Sequence, residues 1–374
     1  MVDRFLTSKI ESRLFKGKAI VLMGPRQVGK TTLLKNLFNG NKDTLWLNGD
    51  EPDVQSLFTE ITSSRIKAIL GNKRILIIDE AQRINHIGLK LKIIFDSLPD
   101  VQIIATGSSS FELANSVNEP LTGRKWEYKM FPLSFGEMVE YHGLLEEKRL
   151  LKHRLVYGYY PDVINNYGQE IEVLKQLSES YLYKDVLSWE LIHKPERLIR
   201  LLQALALQLG SQVSYNELGQ LAGLDSKTVE KYLNVLEQAY VIFRLTSFSR
   251  NLRNELKNSR KIYFYDNGIR NALLANFNLF ETRTDIGALW ENFLVSERIK
   301  KLNYSGEWVN SWFWRTKEQK EIDYIEESNG KITAFEFKWN PDIAVRAPKI
   351  FSNNYDADFR VINYGNFEEF LLPT

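Results

Sequence analysis

The first third of the chain alternates continuously apolar runs with segments whose apolar residues recur at helical spacing. The runs at 19–23, 75–78 and 101–105 are apolar along nearly their whole length, which is typical of strands buried on both faces of a parallel sheet. Between them, segments such as 32–38 place leucines three and four residues apart, as an amphipathic helix does. The pattern predicts an α/β domain over residues 1–130, with helices on both faces of a parallel sheet.

Strand signals disappear after residue 130 and return near residue 241. Residues 131–195 have helical periodicity, interrupted at Gly158-Tyr159-Tyr160-Pro161, and we expect them to form a helical lid. Residues 196–265 predict two short helices joined by a turn at Gly223 and followed by a strand. Residues 266–374 predict a helix, then strands, a helix and a last strand, which is a second α/β unit.

The two short helices predict a helix-turn-helix. Ser214 and Ser226 can each cap a helix start, and Gly223 supplies the turn between them. The residues expected to face inward are Leu218, Leu221, Val229, Leu233 and Leu236. The outer face would carry Lys227, Thr228, Lys231 and Asn234, where a recognition helix meets the major groove of DNA.

Basic residues follow this pair of helices. Arg250, Arg253, Lys257, Arg260 and Lys261 are opposed only by Glu255. Residues 250–261 could therefore contact several phosphates of a DNA backbone. Modules of this kind also serve for packing or protein contact, so both roles stay open at this level.

The strongest chemical motif is the run Gly24-Pro25-Arg26-Gln27-Val28-Gly29-Lys30-Thr31, followed by Thr32. It lies between a predicted buried strand and a predicted helix, which is the context that a phosphate-binding loop requires. Glycines let backbone N–H groups converge on phosphate oxygens, and the helix N-terminus adds a positive dipole end. Lys30 would neutralise the β- and γ-phosphates of ATP, and the Thr31 hydroxyl would bind Mg²⁺. The run predicts a nucleoside-triphosphate site.

Two further strand ends complete this prediction. The apolar strand 75–78 ends in Asp79 and Glu80, which suits the strand beside a phosphate loop. Asp79 would hold Mg²⁺ through water, and Glu80 would polarise the attacking water. The strand 101–105 ends in hydroxyl residues, among which Ser108 could sense the γ-phosphate.

A second cluster of chemically active residues is predicted near the C-terminus. Asp323 lies in one predicted strand, and a turn at 328–330 leads into a strand that places Glu336 and Lys338 on one face. Upstream, Glu291 shares a face of its predicted helix with apolar residues. Burying a carboxylate on such a face costs free energy unless the carboxylate has a partner. Two carboxylates and a lysine suit metal-assisted phosphodiester hydrolysis, with Asp323 and Glu336 holding Mg²⁺. A cross-strand salt bridge would explain the same residues.

Trp308, Trp312 and Trp314 are expected on one face of the preceding strand. Nucleic-acid bases could stack on them, but an aromatic stripe with a period of two is more typical of a core.

Composition limits the classes of protein that this chain can be. Lys and Arg number 49 and Asp and Glu 47, so the net charge of +2 provides no overall field that would attract nucleic acid, and any basic surface must be local. The absence of cysteine excludes disulfides and thiolate zinc sites and suits a reducing compartment. The start of the sequence lacks the apolar core of a signal peptide, and the apolar runs are only of strand length. A cytoplasmic protein without a membrane span is expected.

Taken together, these motifs resemble those of a widespread prokaryotic family of AAA+-type ATPases. Its members join a P-loop ATPase domain to a winged helix and to a C-terminal domain similar to PD-(D/E)XK nucleases. The resemblance covers nearly the whole chain and rests on Gly24–Thr31, Ile77–Gln82, Thr106–Ser109, Leu121–Arg124, Pro132–Phe135, Tyr263–Asp266, Gly287–Phe293, Glu321–Asp323 and Glu336–Lys338.

The resemblance implies that Glu291, Asp323, Glu336 and Lys338 match the acid, acid and E-x-K elements of the nuclease-like core. It also implies that Arg124 could act as an arginine finger toward a neighbouring subunit of a homo-oligomer, or as a sensor within its own chain. A plain salt bridge is the alternative for Arg124.

We therefore predict an α/β protein: a P-loop NTPase (AAA+-like) parallel sheet with a helical lid, a winged helix-turn-helix, and a C-terminal restriction-endonuclease-like α/β domain. The first functional hypothesis is an ATPase that couples its nucleotide state to DNA binding or processing, with a Mg²⁺-dependent nuclease domain. The second is a nucleotide-switched regulatory or scaffold ATPase whose C-terminal domain binds a protein partner and cleaves nothing.

Overall fold

The computed structural model describes residues 2–108, 121–181, 195–249 and 259–372. The chain divides into two compact units. The first comprises Met1–Pro132 with Gln238–Tyr240, and the second comprises Leu133–Glu237 with Val241–Thr374. The finer division predicted above, into parts 1–130, 131–195, 196–265 and 266–374, stays a prediction.

A parallel sheet forms the centre of the first unit. Over the described residues its strands are β1 (Ala19–Met23), β2 (Thr44–Asn48), β3 (Ile75–Asp79), β4 (Gln102–Gly107) and β5 (Lys125–Lys129). The helices of this unit are α1 (Leu6–Arg13), α2 (Lys30–Leu37), α3 (Pro52–Thr59), α4 (Ser63–Leu70) and α5 (Ile87–Ser97), with a 3₁₀ turn at Ala81–Arg83. β1, β3 and β4 are buried along their whole length, as continuously apolar runs predict.

The strand that ends in Asp79 suits the position beside the phosphate loop in sequence, but it is not the direct neighbour of the phosphate-loop strand β1. The sheet runs β2-β3-β4-β1-β5, so β4 lies between the phosphate-loop strand β1 and the strand β3 that carries Asp79. β4 pairs in parallel with both neighbours. Because the carboxyl ends of parallel strands share one edge, Asp79 still reaches the loop after β1.

The second unit begins with helices, as the periodicity of residues 131–195 predicts. They are α6 (Phe135–His142), α7 (Leu144–Tyr157), α8 (Pro161–Asn165) and α9 (Glu170–Tyr181). The predicted break falls between α7 and α8. There Gly158 has a φ of +78°, and a Cβ on it would lie 2.1 Å from Oδ1 of Asp266. Glycine is therefore required at this position.

A small antiparallel sheet and three helices follow. They are α10 (Pro195–Leu207), β6 (Gln212–Val213), α11 (Tyr215–Ala222), α12 (Ser226–Gln238), β7 (Ile242–Thr246) and β8 (Arg260–Phe264), and the sheet runs β6-β8-β7. The predicted turn is present, with Gly223 in the left-handed region after α11. Ser214 caps α11 as expected, since its side chain accepts from the Glu217 N–H.

Two details of this helix pair were predicted wrongly. The cap of α12 is Asp225, not Ser226, because Oδ1 of Asp225 accepts from the Thr228 N–H at 2.9 Å. Leu221 is 56% exposed rather than buried. The other inward positions agree: Leu218, Val229, Leu233 and Leu236 are fully buried.

The last part of the second unit combines several helices with a mixed sheet. Its elements are α13 (Asn267–Leu273), a 3₁₀ turn at Phe280–Thr282, α14 (Ile286–Ser305), β9 (Asn310–Arg315), β10 (Glu321–Ser328), β11 (Lys331–Phe337), α15 (Lys349–Asn354), β12 (Ala357–Ile362) and α16 (Phe367–Leu371). The sheet runs β12-β11-β10-β9; β11 and β12 are parallel and the other pairs are antiparallel. The predicted hairpin turn is present, with Asn329 and Gly330 both at positive φ between β10 and β11.

The three tryptophans do not share one environment. Trp314 is buried with Phe248 and Phe351, and Trp312 packs against the same core cluster. Trp308 precedes β9 and is 91% exposed. The core assignment is therefore correct for two of the three rings, and the placement of Trp308 on the strand was wrong.

Within the residues that the structure describes, no helix combines the length and the apolar character needed to cross a bilayer.

Candidate nucleotide site and acidic cluster

The loop between β1 and α2 has the backbone of a phosphate cradle. Gly24, Gln27 and Gly29 all have positive φ, and α2 begins at Lys30 directly after the loop. A Cβ on Gly24 would lie 2.0 Å from the carbonyl oxygen of Met130, so only glycine fits there. Because α2 begins directly after the loop, the N-terminal end of its dipole lies at the loop and favours an anion.

The Lys30 side chain lies inside this loop and is only 5% exposed. Its ammonium donates to the carbonyl oxygens of Gly24, at 2.8 Å, and Pro25, at 2.7 Å. The positive charge is thus held within the curve of the loop, where phosphate oxygens would approach.

The start of α2 and the end of β4 meet at Asp79, the last residue of β3. Thr31 Oγ1 donates to Asp79 Oδ2 at 2.8 Å, and Thr106 Oγ1 donates to Asp79 Oδ1 at 2.5 Å. The Thr106 hydroxyl in turn accepts from the Glu80 N–H at 3.1 Å. A hydroxyl and a carboxylate side by side at the loop are hard oxygen ligands, so Thr31 and Asp79 fit the Mg²⁺ ion that accompanies ATP.

Glu80 is held by its neighbours at the same edge of the sheet. Its backbone is left-handed, with a φ of +50°, and its Oε2 accepts from Nε2 of Gln82 at 2.6 Å. The same nitrogen of Gln82 donates to Ser108 Oγ at 3.0 Å. The other amide atom, Oε1 of Gln82, is buried and has no hydrogen-bond donor among the described residues. An acceptor is therefore available beside Glu80 and Ser108, where a water could donate to it.

Sequence reasoning assigned no role to three residues at this site. Thr106 and Gln82 lie in the motifs named above without a role of their own, although a hydroxyl at the end of a buried strand next to an acidic strand end is a usable signal. Arg4 gave no signal: its guanidinium donates to the carbonyl oxygens of Val28, in the loop, and Phe131 at 2.8 and 2.7 Å. Ser109, part of the predicted motif, lies outside the described residues.

Arg124 lies at the opposite edge of the sheet. It immediately precedes β5, and the Ala19 N–H at the start of β1 donates to its carbonyl oxygen at 2.9 Å. Ala19 and the last residue of β1, Met23, are four residues apart, or about 13 Å along a strand. Nε of Arg124 lies 3.2 Å from Oδ1 of Asp96 in an exposed ion pair. The predicted sensor role toward its own chain's nucleotide is incompatible with this position, whereas an arginine finger acting on a neighbouring subunit stays a prediction.

The hairpin of β10 and β11 brings the predicted C-terminal residues together. Oδ2 of Asp323 accepts from the Phe337 N–H at 2.8 Å. Phe337 is the residue between Glu336 and Lys338 in the sequence. Nζ of Lys338 donates to Oε1 of Glu336 at 2.7 Å. Burial raises the pKa of Asp323 well above its usual range, and the nearby Glu291 carboxylate raises it further.

A lysine that sequence reasoning placed elsewhere lies at the centre of these acids. Lys261, on β8, is 1% exposed; its Nζ lies 2.8 Å from Glu291 Oε1 and 3.9 Å from Asp323 Oδ1. It also forms an ion pair with Glu321, a residue to which no role was assigned. The prediction that Lys261 contacts DNA phosphate is therefore wrong, because its side chain is buried and ion-paired inside the protein.

We use the name acidic cluster for Glu291, Glu321, Asp323 and Glu336. In the described part of the chain, no group of three or more histidine, cysteine or acidic side chains is arranged so that it could hold a metal ion. The hairpin thus brings Asp323 and Glu336 close to one another, and a Mg²⁺ site at these two residues stays a prediction.

The predicted DNA-binding face of α12 is partly occupied. Lys227 and Lys231 are exposed. The Thr228 hydroxyl donates to Asp225 at 2.6 Å, and Oδ1 of Asn234 accepts from Arg244 at 2.6 Å. Of the basic segment, residues 250–258 lie outside the described residues, and the Arg260 guanidinium stacks over the ring of Tyr215.

Comparisons with known proteins agree with the predicted P-loop fold of the first unit. Residues 16–139 match the family described as an AAA domain. Residues 148–279 and 286–369 match two domains of unknown function, DUF8612 and DUF4143.

Two uncharacterized proteins are similar over most of this chain. One, from Mycobacterium tuberculosis, is 25% identical over 339 residues, which are 90% of this chain and 73% of that protein. The other, from Methanocaldococcus jannaschii, is 23% identical over 344 residues, with coverages of 86% and 75%.

A solved structure is also similar. The Walker-type ATPase of Pyrococcus abyssi matches with a TM-score of 0.52 and 19% identity, covering 73% of this chain and 96% of that one. The likeness concerns the fold. With the parallel sheet and the AAA-domain match, it shows that this chain contains a P-loop NTPase fold of the AAA type.

Proposed function

We propose that this chain binds ATP together with Mg²⁺ and hydrolyses it. The observation that carries the proposal is the hydrogen-bonded group at the carboxyl edge of the sheet. There Thr31 and Thr106 each donate to one oxygen of Asp79, beside the buried ammonium of Lys30. A structural turn would not need this combination of hydroxyls, carboxylate and ammonium around a glycine-lined loop.

Each residue of this group has a role that follows from its position. The loop N–H groups and Lys30 bind the phosphates, and Thr31 and Asp79 hold Mg²⁺, which neutralises charge on the phosphate oxygens. Glu80 accepts a proton from the attacking water, and Gln82 orients Glu80. Ser108 senses the γ-phosphate; its hydrogen bond from Gln82 supports this role.

The proposal is tested by steady-state hydrolysis of Mg·ATP together with equilibrium binding of a fluorescent ATP analogue. Lys30→Ala should weaken binding, because it removes the charge inside the loop. Glu80→Gln should bind normally and hydrolyse at least a hundredfold more slowly. Lys35→Ala, an exposed lysine on the same helix, is the matched control and should behave like the wild type. Equal hydrolysis by Glu80→Gln and the wild type would refute the assigned base.

We further propose that the second unit responds to the nucleotide by engaging DNA through α11 and α12. The helices, the turn at Gly223 and the antiparallel strands β6, β7 and β8 support a winged helix, and exposed Lys227 and Lys231 support DNA contact. Replacing both lysines by alanine should lower DNA affinity. It should also reduce the slope of log affinity against log salt concentration by the amount expected for the loss of about two phosphate contacts. The same change at exposed Lys317 and Lys331 is the control.

For the C-terminal part, we favour a binding platform over a nuclease. The order α14-β9-β10-β11-α15-β12 and the hairpin acids support a nuclease-like fold. However, Lys338 pairs with Glu336, and Lys261 pairs with Glu291 and Glu321. Carboxylates already neutralised by lysines favour the alternative in which this domain binds a protein partner without cleaving a bond.

A further inference from the structure

We propose that Lys261 takes the place of a divalent metal in the acidic cluster, so that the cluster joins β8 to α14 and β10 and performs no metal-dependent cleavage. This inference concerns the second unit alone and does not rest on ATP hydrolysis. It explains why, among the described residues, these acids do not form a group of three that could hold a metal ion.

The position of the Lys261 ammonium is central to the cluster. It forms ion pairs with Glu291 on α14 and with Glu321 at the start of β10, and it lies 3.9 Å from Asp323. Carboxylates from two elements, α14 and β10, are therefore brought to a single cation on a third, β8.

One oxygen of each of three carboxylates in the cluster already accepts a hydrogen bond from another group. Oε1 of Glu291 accepts from Lys261 and also from the Tyr263 hydroxyl at 2.7 Å. Oδ2 of Asp323 accepts from the Phe337 N–H, and Oε1 of Glu336 accepts from Lys338. A divalent ion would have to displace these donors and lie within a few ångströms of a buried ammonium, which repels it.

The surrounding backbone holds Lys261 in this place. Asn292, fully buried, accepts from the Phe264 N–H and donates to the Phe264 carbonyl oxygen at 2.8 and 3.0 Å. This double hydrogen bond ties the end of β8 to α14. Because side chains alternate along a strand, Lys261 and Tyr263 then face Glu291 together. The lysine is therefore part of a built contact and is not a surface side chain that happened to fold inward.

The test measures Mn²⁺ binding to the full chain, free of nucleotide, by electron paramagnetic resonance. The wild type should show no site that depends on Asp323, so Asp323→Asn should leave its Mn²⁺ binding unchanged. Lys261→Met frees the carboxylates, and it should bind Mn²⁺ at least about tenfold more tightly than the wild type. Adding Asp323→Asn to Lys261→Met should abolish that gain. Lys338→Met, which leaves Lys261 in place, is the matched control and should show no comparable gain.

A second variant keeps the test decisive if Lys261→Met does not fold. Lys261→Met combined with Glu321→Gln removes one charge of each sign, and it should also gain Mn²⁺ binding and show a melting temperature that Mn²⁺ raises. The inference is overturned if the wild type binds Mn²⁺ in a manner that Asp323→Asn abolishes. It is also overturned if the wild type cleaves DNA with Mg²⁺ and Asp323→Asn does not.

Discussion

At the scale of single residues, the nucleotide site depends on side chains that hold other side chains. Asp79 and Glu80 would carry the chemistry, but Thr106 and Gln82 determine where their oxygens lie. Thr106 is completely buried and serves as donor to Asp79 and as acceptor from the Glu80 N–H. One hydroxyl therefore sets the relative position of the two acids.

Replacing Gln82 by alanine tests this supporting role. Glu80 would lose the donor that holds its carboxylate, so we expect kcat for ATP hydrolysis to fall about tenfold or more, while the affinity for an ATP analogue stays within about twofold. Gln176→Ala, an exposed glutamine on α9, should match the wild type in both assays. A parallel loss of affinity would show that Gln82 supports the loop rather than the base.

At the scale of elements, helix starts in the second unit are stabilised to different degrees. Ser134 and Glu137 form a reciprocal capping box at the start of α6, and both side chains are buried. Ser214 caps α11 through a longer hydrogen bond of 3.5 Å in an exposed position. The same type of residue therefore has a larger effect where water cannot replace it.

Serine-to-alanine changes at the two caps measure this difference. Ser134→Ala should lower the free energy of unfolding by about 1–2 kcal/mol, because the buried Glu137 N–H loses its acceptor. Ser214→Ala should cost about 0.5 kcal/mol, since water can reach the freed N–H. Urea denaturation of the two variants checks the order, and equal losses would contradict it.

A histidine between two helices gives the second unit a pH dependence. His153 on α7 lies 3.1 Å from Glu170 on α9 and stacks with Tyr167. Burial lowers the pKa of His153 below 6.5, and the opposing effect of Glu170 is smaller. The unfolded chain therefore binds this proton more readily than the folded one. The contribution of His153 to stability is present above its unfolded pKa and is lost as the pH falls through its folded pKa.

The free energy of unfolding should accordingly fall less between neutral pH and about pH 5 in His153→Gln than in the wild type. The measurement is the free energy of unfolding in urea at both pH values. His86→Gln, a change at an exposed histidine in the first unit, is the control. An unchanged pH dependence in His153→Gln would assign the acid sensitivity to other groups.

At the scale of the whole molecule, the predicted chemistry is divided between the two compact units. The residues proposed to bind ATP and Mg²⁺ lie in the first, and the acidic cluster and the residues of α12 proposed to contact DNA lie in the second. Ligands of the two units can therefore be tested separately in one chain.

Nucleotide should stabilise the unit that contains the phosphate loop. At a concentration of ATP analogue about a hundred times its Kd, the free energy of unfolding of that unit should rise by about 2.7 kcal/mol. Hydrogen exchange should slow in residues 24–31 and 76–80, and Lys30→Ala should abolish both effects. Protection confined to the second unit would contradict the location of the site.

Much of the first unit could be predicted because its signals are local. The loop from Gly24 to Thr31, the buried strands and the acids at the end of β3 each depend on residues close in sequence. The hairpin at Asn329 and Gly330 was predictable for the same reason, and it brought Asp323 to Glu336. The helix pair around Gly223 was also found, although its second cap was assigned one residue too late.

By itself, the sequence determined which residue types are present and which short segments form strands, helices and turns, because those preferences come from neighbouring side chains and backbone. Only the tertiary structure decided the placement of β4 between β1 and β3, of Arg124 at the far edge of the sheet, and of Lys261 inside the acidic cluster. Lys261 meets Glu291 and Glu321 across 30 and 60 positions of the chain. Local pattern contains no information on such meetings, because they depend on which elements pack together. A lysine that looks like a DNA contact in sequence thus becomes the buried counter-ion of a carboxylate cluster.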